Sequence, residues 1–265
     1  VKDFLKTLPF ELTKAQLKVL TEIKNDMMSS SPMNRLLQGD VGSGKTVVAL
    51  IAMLIAVDNG YQAALMAPTE ILADQHAKNI SGYMNKLKEV SGRDIKVSLL
   101  IGGQKKSLRE KNLRDIELQE ADIIIGTHAV FEEKVKFRRL GLIVIDEQHR
   151  FGVAQRGKLH EKGSSSEVIV MSATPIPRTL TMTIYGDLDL SIIDEMPLNR
   201  KPVKTILRGE NKLPDIFRFI KEKAKYGFQS FIVYPLVEES EKLELKDALS
   251  YYCLLYTSPS PRDRT

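Results

Sequence analysis

One glycine-rich segment, Gly39 to Thr46 (GDVGSGKT), constrains the fold more than any other part of the chain. It has the spacing G-x-x-x-x-G-K-[ST] and stands between a short apolar run, Leu36–Gln38, and a long apolar stretch, Thr46–Asp58. Glycines let the backbone curl so that successive N–H groups point at phosphate oxygens, and the dipole of a following helix favours the same anions. A glycine-rich turn without a ligand is the alternative. We predict a strand–loop–helix unit that holds a nucleotide through Gly39, Gly42, Ser43, Gly44, Lys45 and Thr46.

Two acidic residues follow a second apolar run, Leu142–Ile145. In a phosphate loop of this type the lysine, Lys45, reaches the β- and γ-phosphates and the threonine hydroxyl, Thr46, ligates Mg²⁺. A carboxylate at a strand end can hold the same ion, which is the role expected of Asp146. The next residue, Glu147, can polarise the attacking water as general base. We therefore predict Lys45, Asp146 and Glu147 as the catalytic set, with a merely solvated strand end as the alternative.

Apolar runs of strand length alternate with stretches of helical periodicity along most of the chain. The runs are continuous in Val, Ile, Leu and Ala, which is typical of parallel strands buried on both faces. This alternation predicts an α/β fold with an open parallel sheet flanked by helices, and ligands bind beyond the carboxyl ends of such strands. The predicted strands are Leu36–Gln38, Ala63–Ala67, Val97–Ile101, Asp122–Gly126, Leu142–Ile145 and Val168–Met171, and the predicted helices are Thr46–Asp58, Glu70–Lys88 and Gln104–Gln119.

Composition excludes several classes of protein. Hydrophobic residues make up 43% and charged residues 28% of the 265 residues, which excludes a disordered or collagen-like chain. The longest apolar run, Val47–Val57, is shorter than the ~18 residues that a membrane span needs. The single cysteine, Cys253, excludes a disulfide framework. The net charge of +5 is compatible with nucleic acid without requiring it. We expect a cytoplasmic protein that does not engage a membrane.

A change of character near residue 196 predicts a domain boundary. The segment MPLNRKP holds two prolines and is typical of a linker. We predict a nucleotide-binding domain at 1–196, a linker at 197–202 and an incomplete second domain at 203–249, with strands at 203–207 and 231–234 and a helix at 213–225. Residues 250–265 carry the only cysteine and a Ser-Pro-Ser-Pro run. They resemble a non-native appendage, with a disordered native tail as the alternative.

Further motifs carry a resemblance to a known family. GDVGSGKT, IDEQH and APTEILADQH, together with SATPIPRTL, resemble the superfamily 2 helicases. The segments DEQHRFGVAQR, YGDLDLSIIDEMP and YPLVEESEKL resemble the RecG family of branched-DNA helicases, over roughly residues 1–249. The motor module of transcription-repair coupling factors shares the HRFGV segment and a segment like PIPRTL. Ser43, Gln148 and the LVEESEKL segment favour the RecG family.

The resemblance implies a RecA-like lobe followed by the start of a second RecA-like lobe. It implies an ATP- and Mg²⁺-dependent DNA helicase or translocase that acts on forks and recombination junctions. No Q/H-x-x-G-R-x-x-R segment, which supplies arginine fingers in this class, is found. We therefore expect a monomeric fragment that binds ATP·Mg²⁺ weakly and does not unwind DNA. The alternative is a phosphate-loop ATPase or kinase whose activity does not respond to nucleic acid.

The resemblance also assigns residues ahead of the phosphate loop. Gln16 resembles the glutamine that reads adenine, and Phe10 is expected to stack on or flank the base. The residues alone favour another interpretation of Gln16, because Thr13-Lys14-Ala15-Gln16 is a capping box that opens an amphipathic helix. Phe10 is equally compatible with a place in the core.

The remaining assignments concern DNA and its coupling to ATP. Loops that follow three strands are expected to contact the DNA backbone, although each is also an ordinary strand-to-helix loop. The Ser-Ala-Thr segment of related helicases couples hydrolysis to nucleic-acid binding, and the segment after Glu147 is a second candidate for coupling. For that second segment, a packed histidine and a salt-bridged surface turn are the alternatives. The DNA candidates are Pro68, Thr69, Gly102, Gly103, Gly126, Thr127 and His128, and the coupling candidates are His149, Arg150, Arg156, Ser172, Ala173 and Thr174.

Overall fold

The computed structural model describes residues 1–146, 166–174, 188–195 and 203–233. The chain divides into two units, Val1–Arg200 and Lys201–Thr265. The division falls inside the predicted linker, and the exact domain limits stay predictions.

The first unit contains one parallel sheet of seven described strands in the order β3-β4-β2-β5-β6-β1-β7. All of their pairings are parallel. The strands are β1 (Asn34–Gly39), β2 (Gln62–Met66), β3 (Val97–Leu100), β4 (Ile123–Gly126), β5 (Leu140–Asp146), β6 (Glu167–Ser172) and β7 (Asp189–Ile193). The helices are α1 (Lys2–Thr7), α2 (Lys14–Met27), α3 (Lys45–Asp58), α4 (Glu70–Ser91) and α5 (Lys106–Glu117), with a 3₁₀ helix at His128–Phe131.

Helices cover both faces of this sheet. On one face α1, α2, α3 and α4 pack with alternate strand residues, such as Leu37 and Leu65, in the largest apolar cluster. On the other face α5 and the 3₁₀ helix pack with the intervening residues, such as Ala64 and Ile124. The strands are thus buried on both faces, as their continuous apolar composition predicts.

The helix behind the glycine-rich loop, α3, is apolar on nearly every side, with nine of its 14 residues buried. It packs against β1, β2 and β5, which makes it the central helix of its layer. Among the described helices, none is both long and apolar enough to cross a membrane.

The predicted elements of the sheet are confirmed. Each of the six predicted strands and three predicted helices is present, with ends displaced by no more than three residues. The edge strand β7 and the short helix α1 are absent from the prediction. The strand β7 lies at the sheet edge, where residues such as Ile192 remain half exposed, so its composition lacks the continuous apolar run of a buried strand.

The second unit contains the predicted helix at Leu213–Lys225, preceded by a 3₁₀ helix at Glu210–Lys212. The predicted strands at 203–207 and 231–234 are wrong for the residues described, since 203–207 and 231–233 form no strand. A strand needs the N–H and C=O groups of a neighbouring strand, and a local apolar run does not supply them. Val203, Leu207, Phe231 and Val233 are each more than 80% exposed.

Candidate nucleotide site at the carboxyl edge of the sheet

The glycine-rich loop and the acidic strand end lie at the same edge of the sheet. The loop leaves the carboxyl end of β1, and Asp146 is the last residue of β5. In the sheet only β6 separates these two strands. Neighbouring strands lie ~4.8 Å apart, which places the two strand ends about 10 Å from each other. A nucleotide bound by the glycine-rich loop would therefore lie at the same edge of the sheet as Asp146.

The backbone of the loop takes the conformation that its glycines predict. Gly42 has φ +80° and Gly44 has φ +89°, both in the left-handed region that residues with a Cβ rarely adopt. Asp40 stabilises the turn, because its carboxylate accepts from the Val41 N–H at 2.7 Å and its carbonyl accepts from the Ser43 N–H at 3.1 Å. The helix α3 begins at Lys45, so the loop delivers the chain directly to a helix N-terminus.

The Lys45 side chain folds back onto the loop. Its Nζ donates to the carbonyl oxygens of Gly39 at 2.6 Å and Asp40 at 3.0 Å. The next residue, Thr46, lies in the first turn of α3. Lys45, which is predicted to contact phosphate, and Thr46, which is predicted to ligate Mg²⁺, therefore both lie where the glycine-rich loop joins α3.

Gln16 connects the N-terminal helix to the loop. The capping box of α2 is confirmed, because Thr13 Oγ1 accepts from the Gln16 N–H and Gln16 Oε1 accepts from the Thr13 N–H. Gln16 Nε2 donates to the Ser43 carbonyl at 2.8 Å, and Gln16 is only 2% exposed. Both ends of its amide are thus bound within the protein, so this side chain holds the loop. Its predicted contact with adenine stays a prediction, as does that of Phe10, which is 38% exposed.

The Ser-Ala-Thr segment at the end of β6 is tied to β1. Ser172 Oγ and Thr174 Oγ1 lie 3.0 Å apart, and Ser172 is 2% exposed. Gln38, the residue before Gly39, donates from Nε2 to the Thr174 carbonyl at 3.1 Å. Ala173 lines a pocket of about 350 Å³ together with Gly39. The predicted coupling segment therefore contacts the strand that carries the phosphate loop.

Asp146 has a partner that the sequence analysis did not single out. His76 Nε2 lies 2.8 Å from Asp146 Oδ2, and the two side chains are 12% and 15% exposed. His76 lies within the quoted string APTEILADQH, on α4. No local pattern predicts the contact, because the two residues are 70 positions apart and meet only when α4 packs on the sheet.

The oxygen donors at this edge fit Mg²⁺ that arrives with a nucleotide. Among the described residues no group of three or more His, Cys, Asp or Glu side chains could hold a metal ion unaided. Mg²⁺ prefers oxygen ligands, keeps several waters, and uses substrate phosphates beside one or two carboxylates. The Thr46 hydroxyl and the Asp146 carboxylate match that pattern.

The predicted DNA-contact loops share the other half of the same edge. They follow β2, β3 and β4, which are neighbours in the sheet. Gly102, Gly103 and His128 are exposed, whereas Thr127 is buried. The carboxyl edge thus carries the candidate nucleotide residues at β5, β6 and β1 and the predicted DNA-contact loops after β2, β3 and β4.

Two of the backbone groups assigned to DNA are engaged within the protein. Glu70 Oε1 accepts from the N–H groups of Gly102 at 3.0 Å and Gly103 at 3.2 Å. Thr69 caps α4, because its side chain accepts from the Leu72 N–H. The loop after β3 is therefore fastened to the start of α4 by Glu70, which belongs to the predicted DNA-contact loop after β2 and whose bonds to Gly102 and Gly103 the sequence does not predict.

Four predicted site residues lie outside the described residues. They are Glu147, His149, Arg150 and Arg156.

The sequence profile of the DEAD/DEAH box helicases matches residues 13–183, well over half of the chain. The chain belongs to the DEAD/DEAH box helicase family. The match spans the loop, the acidic strand end and the Ser-Ala-Thr segment.

Curated relatives of this chain are named more specifically than the DEAD/DEAH box helicase family. It is 49% identical over 251 residues to the ATP-dependent DNA helicase RecG of Thermotoga maritima, covering 95% of this chain and 31% of the relative. It is 52% identical over 244 residues to that of Streptococcus pneumoniae, covering 92% of this chain and 35% of the relative. The chain thus spans about a third of the length of these relatives.

The structure of this chain is similar to a solved structure of RecG bound to a three-way DNA junction. Its TM-score is 0.77 with 44% identity, over 97% of this chain and 32% of that one. The parallel sheet with helices on both faces is therefore the RecA-like helicase fold that the family resemblance implies.

Proposed function

We propose that this chain binds ATP with Mg²⁺ as the first motor lobe of a RecG-type DNA helicase or translocase that acts on branched DNA. The observation that carries the proposal is the meeting of the glycine loop and Asp146 at one sheet edge. The similarity to RecG over nearly the whole chain supports the choice of DNA as partner.

Each residue of the loop has a chemical task in this proposal. The left-handed turns at Gly42 and Gly44 aim backbone N–H groups at the phosphates. Lys45, which now rests on the Gly39 and Asp40 carbonyls, turns to the β- and γ-phosphates and offsets their charge. Thr46 and Asp146 hold Mg²⁺, which when bound neutralises charge on the phosphate oxygens. Glu147 orients and deprotonates the attacking water.

The predicted DNA-contact loops suit the sugar–phosphate backbone of DNA. Hydroxyls, backbone N–H groups and a helix N-terminus contact phosphates without reading sequence, and a branch-directed enzyme has no need to read it. The loops after β2, β3 and β4 follow neighbouring strands, and in this structure Glu70 holds the N–H groups of Gly102 and Gly103. In this proposal DNA phosphates replace the Glu70 carboxylate as partners of these N–H groups. The hydrogen bond from Gln38 to Thr174 supplies contact between the Ser-Ala-Thr segment and the nucleotide strand.

ATP hydrolysis by the complete gene product tests this proposal, with forked DNA, linear duplex and no DNA compared. We expect the highest rate on forked DNA. A rate that ignores DNA altogether would instead support a phosphate-loop ATPase that does not act on nucleic acid. Equal rates on forked and linear DNA would contradict the preference for branches. Glu147→Gln is the matched control, and it should retain ATP binding while losing hydrolysis.

A further inference from the structure

The histidine on α4 touches the carboxylate that the proposed function assigns to Mg²⁺. His76 Nε2 and Asp146 Oδ2 are at hydrogen-bond distance, 2.8 Å. Both side chains are largely buried, at 12% and 15% exposed, so this contact is shielded from water. A hydrogen bond is electrostatically stronger where the local dielectric constant is low than where it is exposed to water.

The helix that carries His76 is firmly packed. Ala73 and Ala77, on either side of it, are 0% and 8% exposed, and Ile80 is 1% exposed. The helix begins at a Thr69 cap and continues for 22 residues. The imidazole is therefore held by a rigid element and can impose its position on a partner.

We propose that His76 is a positioning residue for Asp146, and this inference rests on the proposed ATP·Mg²⁺ function. The terminal torsion of an aspartate is broad and roughly two-fold, so an unheld carboxylate rotates. The Nε2–H of His76 donates to Oδ2 and fixes that rotation, which directs Oδ1 to the metal or to a water of its shell. Hydrogen-bond partners of metal-binding carboxylates orient the ligand in this way, and their loss typically costs ~10–100-fold in metal affinity or activity.

A groove between α3 and α4 supports the assignment. It measures about 490 Å³, and Thr46 and His76 both line it. The imidazole thus contacts one proposed Mg²⁺ ligand, Asp146, and shares a cavity with the other, Thr46.

The test is nucleotide binding by this chain, measured with a fluorescent ATP analogue in excess Mg²⁺ and again in EDTA. The ratio of the two affinities reports the metal contribution without requiring turnover. His76→Leu should reduce this ratio about 10-fold or more, while the affinity in EDTA stays within about twofold of wild type. His76→Gln should restore most of the ratio, because the glutamine amide nitrogen reaches nearly the position of Nε2. Gln75→Leu, an exposed neighbour on the same helix, is the matched control and should leave the ratio unchanged.

The outcomes separate this inference from the proposed function. If Asp146→Asn removes the effect of Mg²⁺ and His76→Leu does not, the positioning role is wrong and the nucleotide site stands. If neither wild type nor any variant shows an effect of Mg²⁺, the proposed function fails and the inference with it. If His76→Leu does not fold, His76→Gln is compared with His76→Asn, whose shorter amide falls short of Asp146. Equal ratios for that pair would overturn the inference.

Discussion

Replacing Gly44 by alanine tests how the phosphate loop is held. Gly44 has φ +89°, and alanine in the left-handed region costs ~1–2 kcal/mol. A Cβ at this position would also lie far inside van der Waals contact with Gln16 Nε2. The amide must then move away from the Ser43 carbonyl, which leaves buried polar groups without partners at a cost of ~1–3 kcal/mol. The sum is a loss of about 2–5 kcal/mol in the free energy of unfolding.

Gly92 provides the matched control. It has φ +72° at the end of α4, and a Cβ there meets nothing within 4 Å. Gly92→Ala should therefore cost only the ~1–2 kcal/mol of backbone strain. Urea denaturation measures the loss in free energy of unfolding for both variants. We attribute the difference between the two losses to the contact of Gly44 with Gln16.

A double-mutant cycle checks the cause. Because Gln16→Ala removes the clashing amide, Gly44→Ala introduced into that background should cost no more than Gly92→Ala. Equal losses for Gly44→Ala and Gly92→Ala in the wild-type background would show that the Gln16 contact adds nothing to the cost. An undiminished cost of Gly44→Ala in the Gln16→Ala background would show the same.

Two further predictions concern carboxylates. Glu70→Ala should raise the affinity for DNA several-fold, because it removes a negative charge and frees the Gly102 and Gly103 N–H groups. Fluorescence anisotropy with labelled single-stranded DNA measures this affinity, and Glu117→Ala, on the exposed side of α5, is the control. Equal gains in affinity for the two variants would contradict the prediction. Burial raises the pKa of Glu167 above its ordinary value, although a hydrogen bond from the Met33 N–H opposes this shift. The folded protein therefore binds this proton more tightly than the unfolded chain, and wild type loses stability as the pH rises from the ordinary carboxyl pKa through the raised one. The melting temperature of Glu167→Gln minus that of wild type should therefore increase as the pH rises from 4 to 7. A difference in melting temperature that stays constant over this range would show that Glu167 does not titrate as inferred.

The sheet was predictable because its signals are local. Parallel strands buried on both faces are written as continuous apolar runs, and the glycine spacing specifies a turn that other residues strain to adopt. The sequence therefore predicted six strands, the helix α3 and the place of Asp146. The edge strand β7 was not predicted because only part of it is buried.

The contacts that organise the site were not predictable in the same way. The hydrogen bonds from His76 to Asp146 and from Gly102 to Glu70 join residues 70 and 32 positions apart. Neither residue belongs to a local pattern that indicates its partner. The strands predicted near 203 and 231 failed for the opposite reason, because an apolar run indicates a strand only where neighbouring backbone pairs with it.

We propose above all that the glycine-rich loop binds the nucleotide through Lys45. Calorimetric titration of this chain with ATP and Mg²⁺ tests this role, with wild type and Lys45→Ala compared at equal folded content. We predict saturable binding by wild type and a loss of at least about tenfold in Lys45→Ala, since a charge-assisted bond to phosphate contributes more than ~1.4 kcal/mol. Equal affinities for the two proteins, or no binding by either, would contradict a nucleotide site that depends on Lys45.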